Sequence, residues 1–384
     1  MHEKSEYLTE QLITYIGNKR ALLDFIGDGI KKVQQKLNKD KLKIFDVFSG
    51  SGIAARYFKQ FSELLIVNDL EKYSAVINEC YLSNENEIDI PALRKHYSEI
   101  LEEAEKNPKR GLISELYAPA NDEDIKPNER VFYTSKNAMY IDTTRKMIEK
   151  IPANQQKYFL APLLSEASIH ANTSGVFKGF YKNKATGIGQ FGGINKDALL
   201  RITGDIKLPF PVFSNFNCQT IVYNSDSNKI IRGIIPQGNC ASLMESPSAT
   251  QPEIPEVDLA YLDPPYNQHP YGSNYFMLNL ILDYKYPENT SKVSGIPGNW
   301  IRSDYNKNHK ALKALTELVE GIKAKYVMIS FNSEGYITVE QMKEMLSRMG
   351  KLEILETKYN TFRGSRNLKN RDIHVKEYLY LLEK

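Results

Sequence analysis

Apolar residues recur along the chain in short blocks, several of them followed by helical stretches. Leu42–Phe48 (LKIFDVF) reads as a buried strand, and after a glycine-serine turn Ile53–Phe61 continues as a helix. Leu64–Asn68 (LLIVN) reads as a second strand, followed by a helical stretch from Glu71 to Tyr81. Strand, turn, helix, strand is the opening of a doubly wound α/β domain. From about Asn86 to Phe213 this alternation is lost in a polar, glycine-containing and aromatic region. Strand signals resume at Gln219–Tyr223, Val257–Leu262, Lys325–Phe331, Leu352–Thr357 and Val375–Leu381. Residues 236–256, rich in Pro and Ser, read as a flexible linker. No internal repeat is present. The expected organisation is one α/β sheet domain from residues 1–85 and 214–384, interrupted by an inserted domain at 86–213. An insertion of about 130 residues needs structure of its own, and substrate recognition is its simplest purpose.

Composition narrows the class. Hydrophobic residues at 41% and charged residues at 25% of 384 are ordinary for a soluble globular protein. No apolar run approaches the roughly 18–20 residues of a membrane span, and Met1–Glu10 lacks the features of a signal peptide. Cys80, Cys218 and Cys240 suit a reducing cytoplasm. They share no metal-ligand spacing, and the histidines form no HxxxH pair, so no metal site is expected. The net charge of +3 says little, but its distribution says more. Residues 131–210 hold eleven Lys/Arg against five Asp/Glu, and residues 358–376 hold six against one. Two basic segments on a nearly neutral chain point to a local polyanion contact.

Two short stretches carry chemistry. In Asp46–Gly52 (DVFSGSG), Gly50 and Gly52 permit a tight turn at the end of the first strand and let backbone approach a ligand. Asp69 ends the next strand 19 residues after Gly50, the place of an acid that receives ribose hydroxyls. These features fit a nucleotide-like cofactor without fixing which one. The second stretch, Asp263-Pro264-Pro265-Tyr266, closes an apolar strand. Its prolines fix φ and donate no backbone hydrogen bond, so the loop holds a carboxylate, free carbonyls and a ring in one geometry. An exocyclic aromatic amine is a poor nucleophile because its lone pair is delocalised. When Asp263 and the Pro264 carbonyl accept its two N–H bonds, the lone pair localises and can attack an electrophilic methyl group in line. Tyr266 offers a face on which the base stacks. This is catalysis by orientation and fixed dipoles rather than by a strong base.

Tyr15-Ile-Gly-Asn-Lys19, Asp46–Gly52, Asn68-Asp69 and Asp263–Tyr266, in that order, resemble the Dam-type (α group) N6-adenine-specific DNA methyltransferases, many of which belong to type II restriction–modification systems. The resemblance covers both sheet segments. It implies a Rossmann-like S-adenosylmethionine-dependent methyltransferase sheet with helices on both faces and an inserted target-recognition domain. The cofactor would be S-adenosylmethionine, without a metal. Tyr15 and Lys19 match the family's N-terminal cofactor contacts, Phe48, Gly50 and Gly52 would line the cofactor, and Asp69 would be its ribose or adenosine acid. Asp226 would approach its adenine, and Asp263 would stand near both the methionine moiety and the target amine. The sequence departs from the pattern at Asn18, where the family often has a second glycine, and at Tyr15, where Dam enzymes often have tryptophan. The recognised DNA sequence therefore does not transfer.

The same resemblance implies double-stranded DNA as partner, a flipped adenine as substrate, and a separate cognate restriction endonuclease. It also implies a prokaryotic, cytoplasmic enzyme acting as a monomer, without membrane contact. His170–Lys184 (HANTSGVFKGFYKNK) interleaves aromatics with lysines and resembles the segment that opens the family's DNA-binding part. Asn172, Phe177, Lys178, Lys182 and Lys184 are its DNA-binding candidates, with Arg363, Arg366, Lys369 and Arg371 clamping from the opposite side. Other acceptors (N4 of cytosine, RNA, a protein glutamine) keep the same chemistry. A catalytically silent DNA-binding module would be the reading had the tetrapeptide been altered.

Overall fold

The computed structural model describes residues 2–193, 195, 196, 198–234, 254–360 and 374–384. The linker read at 236–256 therefore lies almost wholly outside the described residues. The strands are β1 (Leu42–Asp46), β2 (Ser62–Asp69), β3 (Gln219–Asn224), β4 (Val257–Leu262), β5 (Ala324–Asn332), β6 (Lys351–Asn360) and β7 (His374–Glu383). They form one sheet in the order β3-β2-β1-β4-β5-β7-β6, and each falls on a strand expected from the sequence. β1 to β5 pair in parallel, while β7 runs antiparallel between β5 and β6.

The inner strands β1, β2, β4 and β5 are apolar on both sides because both faces of the sheet are covered there. Successive residues of β1 and β2 alternate between two cores. Leu42, Ile44, Leu65 and Val67 pack with Ile26, Ile30 and Val33 of the helix Leu23–Leu37. Phe45, Leu64 and Ile66 share the opposite face with Leu315 and Leu318 of the helix Asn308–Gly321 and with Met342 and Leu346 of Val339–Ser347. The architecture is thus the Rossmann-like, doubly covered sheet expected from the pattern. Its strand order reverses between β1 and β4. In open α/β sheets that switch point, at the carboxyl ends of the strands, is where ligands bind.

The stretch 86–213 carries three long helices that the blocks of apolar positions do not announce. Its long helices are Ile90–Lys106, Ser135–Ile148 and Ala153–Ile169. Two of them start on side-chain caps: Asp89 accepts from the Ala92 amide at 3.0 Å and Thr134 from the Asn137 amide at 3.1 Å. The third, Ala153–Ile169, is buried over an unbroken run from Tyr158 to Ser165, so it shows no amphipathic period to read. These helices share one core with Lys72–Tyr81 and Phe276–Asp283, through Ile141, Phe159, Leu163, Tyr73, Ile77 and Phe276.

The N-terminal segment is pinned over the switch point by Arg56, which is fully buried. Its guanidinium donates to the carbonyls of Tyr7, Glu10 and Gln11 at 3.0–3.1 Å and lies 3.6 Å over the Tyr81 ring. Four residues beyond Gln11 the same segment delivers Tyr15, and then Lys19, to the site.

Candidate active site

Four strand ends, those of β1, β2, β3 and β4, and the pinned N-terminal segment converge on one cleft. Its walls include Tyr15, Lys19, Phe48, Gly50, Asp69, Glu71, Asp226, Asp263, Pro265 and Tyr271. Asn68 ties the strand ends together: its amide donates to the carbonyls of Val47 and Ser225 at 3.2 and 3.1 Å, and its oxygen accepts from the Ser225 amide at 3.1 Å.

The glycine turn after β1 is built for close approach. Gly50 and Gly52 have φ of +54° and +78°, a left-handed conformation that side chains disfavour. A Cβ on Gly50 would stand 3.0 Å from Cε1 of Tyr15. The Gly50 amide donates to Oδ2 of Asp69 at 2.8 Å, and the Glu71 amide donates to Oδ1 at the same distance. Burial pushes the Asp69 carboxyl up to about 6 despite these bonds. Glu71, also in the wall, is raised to about 7 by burial and by the neighbouring Asp69 charge. On the far side Asp226 caps the short helix Ser227–Ile230, accepting from the amides of Asn228 and Lys229 at 3.0 Å.

Aromatic rings close the cleft. Tyr15 stacks on Tyr271 and Tyr275, with centroids 5.0 and 4.8 Å apart, and meets the edge of Tyr73. Phe48 lies edge-on to Tyr305 at 5.1 Å. Tyr271, Tyr275, Tyr305 and Glu71 were not singled out from the sequence. The spacing of Tyr271 and Tyr275, one helical turn apart just beyond Tyr266, was the available signal for two of them.

Asp263 follows β4 directly and lines this cleft together with Pro265. Lys19 reaches it from the N-terminal segment, with Nζ 3.2 Å from Oδ1. Burial raises the Asp263 carboxyl to about 6; Lys19 pulls it down and the Glu377 carboxylate pushes it up. For Lys19 the largest effect, burial, acts downward. Asp263 and Glu377 together outweigh it and hold the ammonium well above the ordinary lysine value. At neutral pH the site thus presents an ionised Asp263 beside an ionised Lys19.

Tyr266, three residues on, lines a second cleft of about 1050 Å³ with Thr14, Tyr15, Gly17, Asn18, Glu166, Gly175, Val176 and Tyr181. Tyr15, Gly17, Asn18, Ser51 and Ile53 belong to both clefts, so the two adjoin. The tetrapeptide stands at their boundary, with Asp263 on one side and Tyr266 on the other. The Tyr266 ring meets Phe331 edge-on at 6.0 Å, and its carbonyl accepts from the Tyr336 amide at 3.0 Å. Pro264 is not in either lining.

The lysine-bearing segment borders the second cleft. Lys178, Lys182 and Lys184 are exposed, the last two on a turn that a bridge between Lys182 and Gly189 closes. Asn172 and Phe177 face inward. The Asn172 amide donates to the carbonyls of Val131 and Gln190 at 2.7 and 2.9 Å and accepts from the Gly192 amide at 3.0 Å. Phe177 packs between Phe132 and Phe276. Arg363, Arg366, Lys369 and Arg371 lie outside the described residues.

Sheet, clefts and tetrapeptide together define an amino-methyltransferase. The chain belongs to the D12 class N6 adenine-specific DNA methyltransferases, whose family model matches residues 15–199 and 224–345. It is 30% identical to the type II methyltransferase M.NlaIII of Neisseria lactamica over 381 residues, covering 97% of this chain and 99% of that one. The type II methyltransferase M.CviAII of Paramecium bursaria Chlorella virus 1 is 27% identical over 96% of this chain and 98% of its own length. The type II methyltransferase M.FokI of Planomicrobium okeanokoites is 26% identical over 96% of this chain but only 52% of its own length. Among the described residues no group of His, Cys, Asp and Glu is arranged to hold a metal ion, and no helix is long and apolar enough to cross a membrane.

Proposed function

We propose that the protein transfers a methyl group from S-adenosylmethionine to the N6 amine of an adenine flipped out of duplex DNA at a specific sequence. The observation that carries this reading is the position of Asp263–Tyr266 on the boundary between two adjoining clefts. A donor on one side and an acceptor base on the other would meet at Asp263.

The first cleft fits the cofactor's chemistry. Gly50 has no side chain where a ligand would approach, Asp69 is a half-buried acid suited to ribose hydroxyls, and Tyr15, Phe48 and Asp226 offer stacking and hydrogen bonding to an adenine. Gly52 sets the turn, and Lys19 with Asp263 faces the methionine end. The bound cofactor supplies an electrophilic methyl group. The chain itself orients the acceptor: Asp263 and the Pro264 carbonyl accept its N–H bonds, Pro265 stiffens the loop, and Tyr266 stacks on the extruded base. Extrusion costs a few kcal/mol, and stacking returns roughly 1–3 kcal/mol of it.

Residues 86–213 serve as the target-recognition region set between the two parts of the catalytic domain. Lys178, Lys182 and Lys184 meet phosphates while Asn172 and Phe177 hold their loop from within. Arg363, Arg366, Lys369 and Arg371 complete the grip. The resemblance to the type II methyltransferases M.NlaIII and M.FokI supports a role in protecting host sequences from a separately acting endonuclease; the enzyme is proposed to be cytoplasmic, prokaryotic and monomeric on its DNA. Duplexes carrying 2-aminopurine at candidate target positions test the flipping step. A fluorescence rise on binding at one position supports it, and no rise at any methylated position contradicts it.

A further inference from the structure

Behind Asp263 lies a carboxylate the proposed chemistry does not use. Glu377, on β7, is fully buried, and its Oε1 stands 2.7 Å from Nζ of Lys19. The same oxygen accepts from the Ser330 hydroxyl of β5 at 2.6 Å. Lys19 thereby sits between two carboxylates, the fully buried Glu377 and the partly buried Asp263, closer to Glu377 than to Asp263, which is 3.2 Å away. One carboxylate would neutralise one ammonium. A second buried carboxylate adds desolvation cost and like-charge repulsion without need for charge balance. It stands in the same strand as the buried Leu379 and Leu381, and its polar head is held there by Lys19 and Ser330. Lysine is a point charge on a flexible four-carbon stem, so its position depends on what anchors it.

We propose that Glu377 is a positioning residue for methyl transfer: with Ser330 it anchors the Lys19 ammonium against one oxygen of Asp263, leaving the other oxygen for the acceptor amine. This rests on the reading of Asp263 as the amine's acceptor. The ionisable groups around Asp263 are Lys19, Glu377, Asp46, Tyr261, Tyr266 and Tyr271. Of these, Glu377 raises the Asp263 carboxyl while Lys19 lowers it. Removing the Glu377 charge should therefore let Asp263 ionise at lower pH.

The test is Glu377→Gln in the full chain. Transfer kinetics are measured across pH, and the Asp263 carboxyl is titrated by NMR of protein labelled with 13C at aspartate Cγ. The inference expects kcat to fall about tenfold through misplacement, with KM for cofactor and DNA little changed. It also expects the acidic limb and the Asp263 titration both to move to lower pH. A folded variant with unchanged kcat, or with an unmoved Asp263 titration, overturns it. Should Glu377→Gln fail to fold, Ser330→Ala decides: a lowered kcat at constant KM supports the anchor, and wild-type kinetics overturn it. Absence of transfer by the wild-type protein would count against the acceptor reading of Asp263, whereas an unmoved Asp263 titration counts against Glu377 alone.

Discussion

Replacing Asp263 with asparagine separates the chemistry of the site from the stability of the fold. The Asp263 side chain is only 18% exposed, and burial lifts its carboxyl from an ordinary 3.8 to about 6. A carboxyl raised in the folded state binds its proton more tightly there than in the unfolded chain. It therefore favours folding fully below about pH 4, and that contribution is lost as pH rises through about 6. At about 1.4 kcal/mol per pH unit, ionised Asp263 costs the folded state about 3 kcal/mol at pH 7, with the help of Lys19 already included. The neutral amide removes this cost, and Lys19 keeps Glu377 as partner at 2.7 Å. Asp263→Asn is thus expected to be at least as stable as wild type in urea at pH 7, by up to about 3 kcal/mol. The advantage should shrink towards pH 4. The amide can turn only one oxygen to the acceptor amine and offers no negative charge, so kcat should fall roughly 10²- to 10³-fold. Equilibrium urea unfolding at pH 7 and pH 4.5, paired with single-turnover transfer, reads both effects. A variant clearly less stable at pH 7 would refute the burial argument, and one with wild-type turnover would refute the role of Asp263.

Three further outcomes follow from the geometry. Gly50→Ala forces a side chain into the φ +54° conformation and against Tyr15 at 3.0 Å. It should cost about 1–2 kcal/mol and raise the cofactor dissociation constant, as calorimetry would show; unchanged affinity would place the cofactor elsewhere. Lys182→Ala and Lys184→Ala should each weaken DNA binding uniformly across sequences and reduce the salt slope by about 1. Unaltered salt dependence would take those lysines off the phosphates. Arg56→Met leaves the carbonyls of Tyr7, Glu10 and Gln11 without their buried donor. It should destabilise the protein by about 3 kcal/mol or more in urea unfolding, and a loss under 1 kcal/mol would show that the N-terminal segment is held by something else.

The parts of the site carried by local sequence were legible, and those assembled across the chain were not. The inner strands β1, β2, β4 and β5 were readable because a sheet covered on both faces demands short continuous apolar runs. Asp263–Tyr266 and Asp46–Gly52 were readable because proline and glycine dictate backbone geometry within a few residues. Glu377 was not, since its partner Lys19 is 358 residues away and a glutamate within a strand gives no hint of it. Ala153–Ile169 escaped because it is buried along most of its length, which erases the periodicity that marks a surface helix; Ile90–Lys106, by contrast, carries readable signals in its Asp89 cap, Pro91 and a buried stripe of Leu93, Ile100 and Ala104. Between Phe177 and Lys184 the alternation of rings and lysines was visible. Which of its side chains turn inward was decided by Phe132 and Phe276, far off in sequence.

The central claim is methyl transfer to adenine N6 at a defined DNA sequence. It is tested most directly by incubating the protein with tritium-labelled S-adenosylmethionine and unmethylated duplex DNA, then digesting to nucleosides for mass spectrometry and mapping the modified positions. The account predicts label in N6-methyladenine at one recurring short sequence, lost in Asp263→Asn. Label in N4-methylcytosine, or none in DNA while RNA or protein becomes labelled, would contradict it.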